Sequence, residues 1–275
     1  MLNYGDALEK GFKFGFSPRR WLPFFILHLV FFLVAFGLAA TNLESILSVI
    51  TEAAINPLAL FSLGGFIVSL VFLFAVWTLL NLYLTIALIH QSDKEKEVSK
   101  SWSVGYSKFL PGLGLVILIS IISMIFSTIA GAIPFAGPVL STIVSVIISI
   151  LFFFSLQSLV IKKNGILNSL KDSYHIVTKS PLRVILIWII ITLLVLVILF
   201  IFSLPLLGAI ALALGPAAMM GGSEAELFKA LQSGSVSIII GAIIMLLGIS
   251  ITQTFTIKTQ TEFYKQFKKK KFGLF

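Results

Sequence analysis

The sequence predicts an all-α polytopic membrane protein, with six transmembrane helices paired as three helical hairpins and short interfacial helices between them. Three observations predict it. Of 275 residues, 58% are hydrophobic and only 11% charged, whereas soluble domains carry roughly 25% charged residues. Six apolar runs each reach about 19 residues or more, and a helix of roughly 20 crosses about 30 Å of hydrocarbon. Nineteen of the 20 Lys and Arg residues fall in or at the edge of alternate intervals between those runs.

The runs are Leu22–Ala40, Phe61–Ile89, Leu110–Ala130, Gly137–Ile161, Leu182–Leu204 and Ser235–Ile257. They place residues 1–275 in a single integral membrane domain. Helix follows from the solvent, because backbone groups in lipid must pair within their own segment and no alternating barrel pattern occurs.

Orientation follows from charge. Lys10, Lys13, Arg19 and Arg20 precede the first run, and Lys94, Lys96, Lys100 and Lys108 lie between the second and third. Lys162, Lys163, Lys171 and Lys179 lie between the fourth and fifth, and Arg183 follows at the fifth run's second residue. Lys258, Lys265 and Lys268 to Lys271 follow the sixth, and the remaining intervals hold only Lys229. Short basic loops stay cytoplasmic, so both termini are expected in the cytoplasm of a plasma (inner) membrane. The first run starts about twenty residues in and exceeds the usual 7–15-residue signal-peptide core, so it is expected to be a retained span. The net charge of +9 is gathered beside spans, and no nucleic-acid partner is expected. Sparse charge with frequent Ile, Phe and Lys suggests a prokaryotic source.

Each odd-numbered span is preceded by a similar approach: Leu8, Gly11, Phe12; then Trp102, Gly105, Tyr106; then Leu170, Ser173, Tyr174. A proline follows each, at Pro18, Pro111 and Pro181. Val98, Trp102, Tyr106 and Phe109 repeat at helical spacing, as do Ile166, Leu170, Tyr174 and Val177, so each approach reads as a helix with one apolar face lying at the interface. Proline then suits an elbow into the span, because it disfavours helix at the residue before it. Two readings stand: an internal repeat of one unit three times over, or the common form of any basic helix entering a membrane.

Between spans, small residues govern packing, because lipid supplies no hydrophobic drive. Ser120, Ser123, Ser127 and Gly131 form one stripe; Gly137, Ser141, Ser145 and Ser149 form another, and the short link between them sets the two face to face. Ser237, Gly241 and Gly248 offer small positions in the sixth span. Asn81, Gln157 and Gln253, with Thr252, Thr254 and Thr256, are candidates for interhelical hydrogen bonds. Thr41–Glu44 and Ser223–Glu226 read as capping boxes of short outer helices. The apolar stretch 205–222 is too short to span twice; it extends the fifth span, lies flat, or dips in and returns.

Little points to chemistry. All eleven Asp and Glu lie outside the spans, and intramembrane acid–base work usually needs a buried ionisable group. His28 is the one histidine deep in a run. There is no cysteine, and no metalloprotease, serine-hydrolase or phosphate-loop motif. No catalytic residue, cofactor or metal is expected. Lys268, Lys269, Lys270 and Lys271 form a polybasic end bracketed by Phe267 and Phe272, a membrane-surface feature suited to anionic headgroups at about 1 kcal/mol per Lys.

Ile133, Pro134 and Gly137 in the turn, Gly165, Ser169, Leu170, Ser173 and Tyr174 at the junction, and the end "EFYKQFKKK" carry a resemblance. The chain resembles the membrane domain associated with some glycerophosphoryl diester phosphodiesterases, and related stand-alone six-span proteins. The resemblance implies the six-span fold. It implies no phosphodiesterase activity, because the catalytic barrel is missing. The expectation is a non-enzymatic scaffold, accessory subunit or envelope-maintenance factor, partnered by membrane lipids and by a second copy or another membrane protein. The alternative is a small-solute or lipid transporter with His28, Asn81, Gln157 and Gln253 along a polar path. A transport path requires those four side chains to share one cavity.

Overall fold

The computed structural model describes residues 2–43, 45, 46, 49, 63–219, 221 and 224–269. Among the described residues there is no strand. The helices, in chain order, are α1 (Tyr4–Gly15), α2 (Pro18–Thr41), α3 (Gly64–Asp93), α4 (Val98–Gly131), α5 (Gly137–Leu151), α6 (Ser155–Ile161), α7 (Ile166–Lys179), α8 (Pro181–Met219), α9 (Glu224–Ser233) and α10 (Ser235–Lys269). Six stretches are long and apolar enough to cross a membrane: α2, α3, α4, α5 with α6, α8 up to Pro216, and α10. They mark an integral membrane protein. Side chains such as Val68, Phe72, Met124 and Phe200 stand more than half exposed on these helices, and in lipid that exposure carries no hydrophobic cost.

The central element is α10. It packs along α8 and α1, and also against α2 and α3, while α4 packs between α3 and α5. Burial is uneven along the bundle. The largest cluster joins Ala7 of α1, Phe154, Val177 of α7, Val184 and Ile187 of α8, and Phe255, Phe263 and Tyr264 of α10. A second joins Phe14, Phe24, Ile86, Ile89, Val160 and Ile257. Both gather at the end of the bundle that carries the Lys and Arg residues. The small residue at each contact sets how close α1 lies. A Cβ on Gly11 would fall 2.0 Å from Thr259 Oγ1, and one on Gly15 would fall 2.9 Å from Phe255 Cβ and 3.1 Å from its Cα. Gly11 and Gly15 thus form a small-xxx-small contact onto α10.

Two local features differ from the sequence-based expectation, and one open alternative is decided. At Ser17 (φ −77°, ψ 118°) and Ser180 (φ −144°, ψ 55°) the chain leaves helix just before Pro18 and Pro181, as pre-proline sterics favour. The second approach has no such break: α4 runs unbroken from Val98 through Pro111 to Gly131. There the proline follows Leu110, and no residue leaves helical conformation to cap a new start. The fourth apolar run is not one helix. It breaks at Phe152–Phe154 between α5 and α6, and Ser173 of α7 bridges the gap. Its hydroxyl donates to Leu151 O at 2.8 Å and accepts from Phe154 N–H at 3.1 Å. Finally, α8 continues as helix through Pro205 to Met219, so of the three readings of 205–222 the described part extends the fifth run. The second capping-box region contains α9, while Glu44 and Ser223 lie outside the described residues.

Candidate functional site

Polar side chains concentrate in three places, two at the basic end and one in the middle of the bundle. The largest is a chamber of about 700 Å³ bounded by α1, the Ser17 turn, the start of α2, the α3–α4 connection and α10. Its lining holds six cations (Lys10, Lys13, Arg20, Lys96, Lys258, Lys265) and three carboxylates (Asp93, Glu95, Glu262). Lys258 is the anchor. Its residue is only 3% exposed, and its ammonium meets Ser92 O at 2.7 Å, Glu95 Oε1 at 2.7 Å and Glu262 Oε1 at 2.8 Å. A buried ammonium has three donors to satisfy, and here all three find oxygen. Arg20 reaches across from α2 to Gln91 Oε1 at 2.6 Å and Glu95 O at 3.1 Å. Its guanidinium carbon lies 4.9 Å from the Phe14 ring centroid, within cation–π range. Burial alone would raise the Glu95 carboxyl, but Lys258, Arg20 and Lys265 hold it below the usual carboxylate range. Lys265 pairs with Asp93 at 2.9 Å. Among the described residues Lys13 pairs with Glu9 along α1, at 2.5 Å.

The second place is a node around Asp172 of α7. The carboxylate, 13% exposed, accepts from Ser158 Oγ at 2.8 Å, Lys162 Nζ at 3.0 Å and Tyr264 OH at 2.8 Å, and from Lys268 Nζ. Burial by itself would raise this carboxyl. The bonds from Lys268, Tyr264, Lys162 and Ser158 outweigh burial and hold it at about 2. The node ties the end of α6, the middle of α7 and the end of α10 through one anion.

The third place is uncharged. His28 of α2, Trp77, Asn81 and Thr85 of α3, and Gln253 of α10 line a cavity of about 380 Å³, walled on its apolar side by Val195, Ile249 and Ile257. Gln253 Nε2 donates to Asn81 Oδ1 at 2.5 Å, and His28 Nδ1 lies 3.1 Å from Ser250 Oγ. The Trp77 indole N–H is buried and without a partner among the described residues.

The residues nominated from sequence are distributed as follows. His28, Asn81 and Gln253 share the cavity. Gln157 does not: it sits on α6, donating to Gln260 Oε1 at 2.7 Å. On the small-residue stripes, Ser127 Oγ meets Ser145 Oγ at 2.9 Å. Ser141 and Ser149 turn back to Pro138 O and Val146 O. A Cβ on Gly137 would fall 2.2 Å from Gly131 O. Ser123 is half-buried and Ser120 exposed. In the antiparallel register that Ser127–Ser145 defines, Ser120 falls opposite Phe152, where α5 has already ended. Lys268 is drawn into the Asp172 node, Lys269 is exposed at the end of α10, and Lys270 and Lys271 lie outside the described residues.

Sequence reading passed over the chamber and the node. The one available signal was the Gly11-x-x-x-Gly15 spacing, which brings α1 against α10. The partners of Asp172 lie up to 96 residues away, at no telling spacing. Among the described residues no three His, Cys, Asp or Glu side chains are grouped to hold a metal ion.

Residues 133–267 match the model of a family described as a domain of unknown function, DUF7847. The matched stretch covers the turn and junction residues Ile133, Pro134, Gly137, Gly165, Ser169, Leu170, Ser173 and Tyr174, together with Asp172 and Gln253. It is an uncharacterised family. No curated protein matches the chain significantly, and no solved structure does.

Proposed function

We propose that the chain is a non-enzymatic scaffold or accessory subunit of a prokaryotic plasma membrane, both termini cytoplasmic, that holds an anionic lipid headgroup in the chamber beside α1. The observation that carries this reading is the composition of the chamber wall: six cations against three carboxylates, around about 700 Å³ of space. Lys258 and Lys265 are engaged with those carboxylates, and Lys10 and Lys13 pair along α1 with Asp6 and Glu9. Among the described residues the Arg20 guanidinium bonds only neutral groups, the Gln91 side chain and a backbone carbonyl. A net positive concavity at the level of the cytoplasmic headgroups attracts anionic lipid, at about 1 kcal/mol per cation. In this reading α1 and α7 lie along the interface, and three hairpins (α2/α3, α4/α5–α6, α8/α10) carry the spans. The resemblance to the phosphodiesterase-associated membrane domain carries no more than this architecture into the proposal.

The test is lipid retention. The protein is held in nanodiscs of phosphatidylcholine with a minor fraction of phosphatidylglycerol, then extracted gently and weighed by native mass spectrometry. Preferential retention of phosphatidylglycerol is expected, falling ~10-fold or more in the double variant Lys13→Gln, Lys96→Gln, as two cations at about 1 kcal/mol each imply. Both side chains are exposed, so folding is not at stake. Equal retention of the two lipids overturns the reading.

A further inference from the structure

The mid-bundle cavity has a different chemistry from the chamber and is independent of it. No charged side chain lines it, so it offers nothing to an ion that the bilayer would not already penalise. What it offers is an assortment of neutral donors and acceptors. The hydroxyl of Ser250 spends its one proton on Leu246 O at 2.8 Å, so its oxygen accepts and His28 Nδ1–H donates to it. In the neutral ring, Nε2 is then an acceptor, and it makes no hydrogen bond among the described residues. The Asn81–Gln253 pair uses one amide N–H and one amide oxygen. Whichever way the two amides are turned, one NH₂ group and one carbonyl oxygen of the pair remain for a third party. Trp77 adds a buried N–H with no partner among the described residues. In hydrocarbon an unpaired donor of this kind costs more than almost anywhere else.

We propose that this cavity binds the uncharged hydroxyl end of a membrane lipid, the Trp77 N–H and the free amide N–H donating to its oxygen and the His28 Nε2 or the free amide oxygen accepting its proton. A hydroxyl is the smallest group that both donates and accepts, which is what a site of mixed donors and acceptors without charge selects. The apolar wall of Val195, Ile249 and Ile257 suits a hydrocarbon body rather than a sugar or an amino acid. The volume of about 380 Å³ lies in the range of small-ligand pockets, sufficient for a head and the first part of one chain.

Trp77 is also the reporter. In the variant Trp21→Phe, Trp102→Phe, Trp188→Phe only Trp77 remains to fluoresce. Reconstituted in phosphatidylcholine nanodiscs, it is titrated with a diacylglycerol brominated on its acyl chains and, separately, with a brominated long-chain alcohol. Saturable quenching by either, at a few mole per cent, is expected, and the tighter of the two identifies the hydrocarbon body. Quenching that only rises in proportion to mole fraction, as with brominated phosphatidylcholine, overturns the proposal, as does equal quenching by the O-methyl ether of the same diacylglycerol. A cavity filled by water alone gives that proportional result. A second measurement uses the unaltered chain: diacylglycerol raises its unfolding temperature in phosphatidylcholine nanodiscs by a few degrees and the ether does not. Equal shifts, or none, count against hydroxyl binding. Neither readout depends on the anionic headgroup, so failure of one proposal leaves the other standing.

Discussion

The two polar regions of this bundle solve opposite problems. At the basic end, Asp172, Glu95, Glu262 and their cations are brought together at close range, and burial is offset by multiple charge-assisted bonds. In the middle, His28, Asn81 and Gln253 do their pairing without any ion. The contrast follows from where each region would lie in a bilayer. An ion is retained where headgroups and solvent are near, while at mid-depth only neutral hydrogen bonds are affordable. It also predicts how each end fails: loss of one charge strands others, whereas loss of one amide strands little.

The largest effect is therefore expected at Asp172. Replacing it by Ala leaves Lys162 and Lys268 facing each other without the anion, and removes the acceptor for Tyr264 and Ser158. Hydrogen bonds to a charged group are worth about 1.5–3 kcal/mol, so this part-buried node should give a large drop in unfolding temperature in mild detergent. The same carboxylate sets an acid limit. Its native value, about 2, lies below that of an unfolded aspartate, so its stabilisation is complete above about pH 5 and disappears as pH falls through 2. The loss amounts to about 2 kcal/mol. Acid titration of the Asp172→Asn variant should lack this component; an unchanged acid profile would show that the node contributes no linkage.

Next in size is Ser173, the neutral member of the same end. Its hydroxyl serves two backbone groups exposed by the α5–α6 break. Ser173→Ala leaves a buried N–H and a carbonyl unpaired, at about 1–3 kcal/mol. Ser173→Thr keeps the hydroxyl and should recover most of that. Amide hydrogen exchange at Phe154 checks it, with faster exchange expected in the Ala variant alone.

Comparable but purely steric is Gly15→Ala. The added methyl meets the backbone of Phe255 as well as its side chain, so the neighbour cannot swing away, and overpacking of this kind costs about 1–3 kcal/mol. Release of α1 would open the chamber. The variant should therefore lose phosphatidylglycerol preference along with stability, whereas Gly5→Ala, whose Cβ meets only the Asn3 side chain at 3.8 Å, should lose neither.

How much of this was legible in the sequence depends on range. Spans are read from local composition, and the six apolar runs overlap the six stretches able to cross a membrane, with α5 and α6 together making the fourth. Elbows are half legible. Ser17–Pro18 and Ser180–Pro181 break helices, yet Leu110–Pro111 does not, because proline only disfavours helix before it and a long flanking helix overrides that preference. The α5–α6 break carries no Gly or Pro to announce it, and its backbone is satisfied by a serine 19 residues on. The chamber and the Asp172 node depend on where α10 places Lys258, Tyr264 and Lys268, a tertiary fact with no local signature. Lys268 illustrates the cost. In a run of four lysines it reads as a headgroup contact, but its position on α10 delivers it to Asp172.

The smallest effect is expected in the middle, and it sharpens the contrast with which the two ends were compared. Gln253→Leu removes the bond to Asn81 and the weaker one to Thr85 at 3.4 Å. Interhelical hydrogen bonds inside membranes average about 0.6 kcal/mol, since an unfolded but inserted helix finds other partners. A loss of that size in Gln253→Leu, and none beyond it in the double variant with Asn81→Leu, would place the coupling at a few tenths to one kcal/mol in a double-mutant cycle. A coupling as large as that of Asp172 with Lys268 would mean that the neutral region carries the fold as heavily as the charged one. The division between a paired, structural end and an uncommitted polar middle would then be lost. A small coupling has the opposite consequence: groups held this loosely to one another are the ones able to turn toward a third.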